Sequence, residues 1–306
     1  MNTAPPPKLT ASAPVLLVKD VVAAAEHYRD RMGFRCERFW GDPPAFVILS
    51  VRTRQISPSV FRLIYSFVFV LAFVSAIGLA VEPPIPPGER GRMIAEFSQQ
   101  VATLGESIAR APREIALYSQ RGDLHLFLAR FPAAVADFEK MIALDPAQDA
   151  PHWRLGIAYY FTGQFEKSAK QFEKYHAYDN RDRENGIWKF LGDVKVAGLQ
   201  PARGAMLVYT RFDREPFPSL YEMFAGKLTT REFLTGLDER KLTDSPKVMF
   251  FANYYAGLHE DMLGRQETAL PLLHAAVANS GDRTPLGGRT YMWQVARLHY
   301  ETLGKR

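Results

Sequence analysis

Two registers of apolar residues divide this chain. Before Val51 apolar residues alternate with polar ones or run together in short blocks, and from Met93 onward they return every three or four positions. The first pattern is that of strands and the second that of helices with one buried face. Pro14 to Val18 reads as a short buried strand. Asp20 can cap a helix over Val21 to Arg31, which Met32-Gly33-Phe34 ends with Gly33 in the left-handed conformation. Arg35 to Trp40 alternates and reads as a second strand, Gly41 to Pro44 as a turn, and Ala45 to Val51 as a third strand. The preceding residues 1–13, rich in Pro and Ala, read as disordered. The expectation for 14–51 is a small strand–helix–strand–strand piece.

On the helical side, Met93, Ile94, Phe97, Val101, Leu104 and Ile108 form one stripe over Gly91 to Ala109. Then the chain repeats itself. Gly122 returns as Gly156, Phe131 as Phe165, Phe138 as Phe172 and Asp145 as Asp179, each 34 residues later. This defines two units, 115–148 and 149–182. Small residues at positions 8 and 20 of each unit let two antiparallel helices approach, and aromatics at 17 and 24 fill the gap to the next pair. Pro146 stops the second helix of the first unit, because the residue before a proline is pushed out of helical geometry. Short helices follow over 185–198, 201–208, 219–225 and 230–237, with an irregular loop at 211–218. The regular spacing returns over 250–283, where Gly257, Gly264, Ala269 and Leu273 match Gly156, Gly163, Ser168 and Phe172. A last helix over 289–303 carries Met292, Val295, Ala296 and His299 on one stripe.

Between these regions lies a run with no charge, Leu63 to Val81, preceded by Arg52, Arg54 and Arg62 and followed by Glu82. Nineteen such residues are close to the length that spans a bilayer. The basic flank places the N-terminal side in the cytoplasm. The expectation is one transmembrane or signal helix within 60–81, with the repeats beyond the membrane. Gly78-Leu79-Ala80 carries the small-x-small pattern of a signal-peptidase site, so a retained anchor and export after cleavage at Ala80 both stand. The Pro-rich stretch 82–91 reads as a stiff spacer before a helical domain over 92–306.

Charge and cysteine content narrow the chemistry. The net charge is +5, of which residues 1–62 supply +4, so the repeats offer no basic face for nucleic acid. Cys36 is the only cysteine, which excludes an internal disulfide and a Cys-rich zinc site. No phosphate loop, nucleophile elbow or HExxH motif occurs. His27 reads as a solvated or packed helix residue rather than a metal ligand, because a metal site needs several ligands. The expectation is a protein without cofactor or metal.

A 34-residue period with these small and aromatic positions resembles the tetratricopeptide repeat. The order of parts from Ile115 onward resembles the bacterial new-lipoprotein-I type of tetratricopeptide proteins. That likeness rests on Trp188 to Leu191, Phe224 to Lys227, Phe251 to Gly257 and Ala275 to Asn279. It implies an α-solenoid that docks partner proteins at the cell envelope, envelope peptidases or cell-wall enzymes among them. The family's lipid-bearing cysteine is absent here. Residues 12–51 resemble the first half-module of the vicinal-oxygen-chelate (glyoxalase/bleomycin-resistance) fold, through Tyr28-Arg29-Asp30 and Met32-Gly33-Phe34 above all. The rival reading this implies is a metal-dependent lyase or dioxygenase, but its first ligand position falls at Ala13 or Pro14, neither of which binds a metal. A third reading is two joined reading frames.

In tetratricopeptide stacks the first helix of each pair lines a concave groove through positions 2, 5, 9, 12 and 13. Those positions hold Asp123 and Phe127 in the first unit, and Trp153, Ile157, Tyr160 and Phe161 in the second. In the late unit they hold Tyr254 and Leu258. The resemblance implies that these residues bind a partner helix or peptide. The same rings would serve as core if neighbouring helices cover them.

Overall fold

The computed structural model describes residues 15–18, 21–32, 35–40, 46–50, 69–73, 83–278 and 290–304. The chain divides into two units, Met1–Glu82 and Pro83–Arg306.

The first unit holds β1 (Val15–Val18), α1 (Val21–Met32), β2 (Arg35–Trp40), β3 (Phe46–Ser50) and β4 (Phe69–Phe73). The strand order is β1-β4-β3-β2. β4 runs parallel to β1, with Val15 opposite Val70, and antiparallel to β3, with Ile48 opposite Val70. This corrects the single helix expected over Leu63 to Val81. Residues 69–73 are a strand, and among the described residues no helix is long and apolar enough to cross a membrane. The physical reason is composition. Phe-Val-Leu-Ala-Phe is aromatic and branched, which suits a pleated surface. A strand with neighbours on both sides reads as a continuous apolar block, which periodicity cannot tell from a helix. The rest of 63–81, Ala80 included, lies outside the described residues, as do 1–13, Gly33 and the 41–44 turn.

The second unit is mainly helical. α2 (Pro87–Arg110) starts earlier than the spacing predicts, because Pro87 takes the first helical position, where a missing N–H costs nothing. The Pro-rich spacer is therefore shorter than 82–91. Next come α3 (Ile115–Phe127), α4 (Phe131–Leu144), α5 (Trp153–Phe161) and α6 (Phe165–Tyr178). α7 (Arg183–Ala197), α8 (Leu199–Gly204), α9 (Phe217–Phe224) and α10 (Thr230–Glu239) make the less regular middle. α11 (Pro246–Met262), α12 (Gln266–Ala278) and α13 (Tyr291–Leu303) close the chain. Residues 206–210, expected to be partly helical, carry no regular secondary structure instead. Packing runs mostly from each helix to the next: α2 on α3, then α3 through α7 in order, then α11 on α12 and α12 on α13. That order is consistent with an α-solenoid.

The three regular units share one close approach. A Cβ on Gly122 would stand 2.5 Å from the Phe138 ring, one on Gly156 2.7 Å from Phe172, and one on Gly257 2.7 Å from Leu273. In each unit the small residue and its large neighbour are 16 positions apart, so the ring sits where a side chain would be. The turn inside each unit also shares a left-handed residue: Ala129 (φ 56°), Gly163 (φ 74°) and Gly264 (φ 75°). Gly pays no Cβ penalty there, and Ala129 does.

Candidate binding groove

Of the eight predicted groove residues, Ile157, Tyr254 and Leu258 are buried, and Asp123, Phe127, Trp153, Tyr160 and Phe161 are half-buried. They share one feature of the fold, which the sequence reading left open. Helix α13 lies along them.

Trp293 ties α13 to α12, its indole Nε1–H donating to the Val277 carbonyl at 2.9 Å, and the Thr290 hydroxyl caps the helix by accepting from the Trp293 N–H. On the opposite side Tyr291 meets Phe127 edge-on at 5.1 Å and Trp153 edge-on at 4.8 Å. One turn on, the buried Arg297 donates to the Gln294 side chain at 2.9 Å, to Glu301 at 3.0 Å and to the Phe127 backbone carbonyl. Glu301 in turn accepts two hydrogen bonds from Arg90 of α2, at 2.8 and 2.9 Å. Near the end of α13, His299 packs 4.7 Å from Phe161 and 5.8 Å from Trp188, and its Nδ1 is 2.8 Å from the Tyr254 hydroxyl.

The strip is therefore not open along its length. Its first part, Phe127 and Trp153, is roofed by α13, and Asp123 there is held by Arg154 at 2.6 Å. Burial raises the Asp123 carboxyl to about 6, against the pull of Arg154. Ile157 and Tyr254 are core. Of the two readings left open by the sequence, groove contact and core, the second fits this end, and the cause is simple. The late units bring the last helix back against α2 and α3, and aromatic rings bury most area when another helix covers them.

The other end stays accessible. A cavity of about 230 Å³ lies beside α13, walled by Tyr160, Phe161, Phe165, Leu258, Met262 and His299. Three of the predicted residues line it. Lys195 and Asp261 add one charge of each sign to its lining. Sequence reasoning missed the part played by Tyr291, Arg297 and His299. The available signal was the stripe on the last helix, which shows an apolar face but not which surface it meets.

No protein-family model matches the chain, and no curated protein matches it.

Proposed function

We propose that the chain is a non-enzymatic adaptor of tetratricopeptide type, an α-solenoid that holds a helix or extended segment of a partner protein. One observation carries the reading: residues at the groove positions of all three regular units, two adjacent and one late, already grip an amphipathic helix, α13 of the same chain. A surface that holds one such helix has the chemistry to hold the edge of another. The free space beside α13, about 230 Å³ and walled mainly by aromatic and aliphatic side chains, suits a Leu, Met or Phe anchor of a partner helix. The basic-then-uncharged order of residues 52–81 supports a position at the membrane.

The experiment is chemical cross-linking of the wild-type chain and Met262→Glu in cells, with identification of the products. Met262 lines the cavity and is only half-buried, so the variant should keep its melting temperature and lose the partner set. An unchanged partner set in a folded Met262→Glu protein would contradict the reading. So would turnover of a glyoxalase-type substrate by the purified chain.

A further inference from the structure

A second cavity, also of about 230 Å³, opens beyond the roofed end of the strip. Its walls are aromatic: Trp153 of α5, Phe172 of α6 and Trp188 of α7, the last two stacked 5.9 Å apart. Its far end is polar. Asp182, Glu184 and Asn185, at the start of α7, line it together with Arg214.

The charges there do not balance. Arg214 bonds Asp182 at 3.2 Å, Asp213 at 3.1 Å and Glu184. One guanidinium thus serves three carboxyl groups. The neighbouring cation, Arg183, turns away, donating to the Arg211 carbonyl at 2.7 Å and lying 5.2 Å over the Tyr209 ring. Tyr255 donates to the second oxygen of Glu184 at 2.6 Å, and Trp188 donates to Tyr255. Asn185 is 5 % exposed, faces the cavity, and makes no side-chain hydrogen bond to any described residue. The amide is not one of the side-chain polar atoms sealed in the core; it opens on the cavity, where a guest can meet it.

We propose that this cavity receives an alkylammonium group, the side chain of a lysine in a partner segment or a free amine of that shape. The apolar stem lies against Trp153, Phe172 and Met292, as long cationic side chains do on apolar surface. The ammonium meets the Trp faces, which attract cations. It donates to Glu184, Asp182 and the Asn185 carbonyl oxygen. The lysine source rests on the adaptor reading; the amine class rests on the cavity alone.

Binding should strengthen with pH. Burial and then Asp182 push the Glu184 carboxyl up to about 7, opposed by Arg214. Burial also raises Asp182. The groups that face Glu184 are Asp182 on its own helix, Asp213 and Arg214 in the loop, and Tyr255 on α11. Only ionised Glu184 attracts an ammonium, and a simple amine keeps its proton between pH 5.5 and 8.

The test uses the full chain with N-acetyl-lysine methylamide, butylammonium and, as the uncharged match, N-acetyl-norleucine methylamide. Binding is read by calorimetry and tryptophan fluorescence. At pH 8 the lysine amide should saturate and bind at least about tenfold tighter than the norleucine amide. Glu184→Gln, which keeps the shape, should weaken it about tenfold, as should lowering the pH to 5.5. Asn185→Leu, which fills the gap without charge, should abolish it. Butylammonium binding as well as the lysine amide identifies a free amine as the guest, and tighter lysine amide binding identifies a protein side chain. No saturation at pH 8 overturns the proposal, and so does equal binding of lysine and norleucine amides. If a variant fails to fold, a flat pH profile of the wild type overturns it alone. Loss of amine binding with Met262-dependent capture intact removes the cavity and leaves the adaptor; the reverse removes the adaptor and leaves the cavity.

Discussion

The two ends of the aromatic strip are built from the same repeat positions and end in different environments. At one end Phe127 and Trp153 face Tyr291 and are roofed by α13. At the other, Tyr160 and Phe161 meet His299 on one side and a cavity on the other. Position within the repeat sets the direction in which a side chain points. What stands opposite is set by how far the stack curls before the chain ends. The lesson is that an aromatic repeat position is a candidate contact, and its partner can be part of the same chain.

The largest effect should come from loosening the roof. Trp293 is fully buried, and its indole holds α13 to the end of α12. Trp293→Ala should cost about 3–5 kcal/mol, the range for removing a buried aromatic, and should raise dye binding as the strip is uncovered. Denaturant unfolding measures it, and a loss below about 1 kcal/mol would mean that α13 is not a roof.

Trp153→Ala comes next. The ring is half-buried against Tyr291, so the cost should be smaller, about 2–3 kcal/mol. It should fall on melting temperature at the roofed end, with partner capture at the open end kept. The opposite outcome, unchanged stability with lost capture, would show that Trp153 is a contact residue and that the roof lifts.

A smaller effect concerns acid. His152 is the N-cap of α5, its Nδ1 accepting from the Leu155 N–H at 3.3 Å, and its ring packs on Phe138. Burial, and then Arg154, hold its pKa down to about 4. A depressed folded pKa gives stability that is present above the unfolded value of about 6.5 and is lost as pH falls toward 4. Asp123, at the same end, works the other way. Its raised pKa of about 6 gives stability that is present at low pH and lost as pH rises through 6. His152→Asn keeps a cap acceptor and removes only the first effect. The fall in melting temperature between pH 6.5 and 4 should therefore shrink in the variant. An identical acid profile would show that His152 does not carry it.

Much of the helical unit was legible because its physics is local. Gly122, Gly156 and Gly257 each leave room for a bulky residue 16 positions on, and a 34-residue period exposes that geometry directly. The Thr229–Glu232 capping box at the start of α10 is equally local, but the sequence reading did not single it out. The strand at Phe69–Phe73 was not legible. A short apolar block carries no period, and its pairing with Val15–Val18 depends on residues more than fifty positions away. The roof was not legible either, since Arg297 reaches the carbonyl of Phe127 across 170 residues. The Asp182, Glu184, Asn185 and Arg214 cluster went unnoticed because its members sit in the least regular part of the chain, where no repeat marks the inward face.

The most direct test places a photoreactive benzophenone side chain at position 262, in the open cavity, and at position 99, on the exposed side of α2. Irradiation in cells should give discrete protein adducts from position 262 and none in common from position 99. Adding Phe161→Glu, on the facing wall of the same cavity, should remove the adducts while the protein stays folded. Adducts that are absent at 262, or the same at both positions, would contradict the claim that the open end of the strip is where this chain holds its partner.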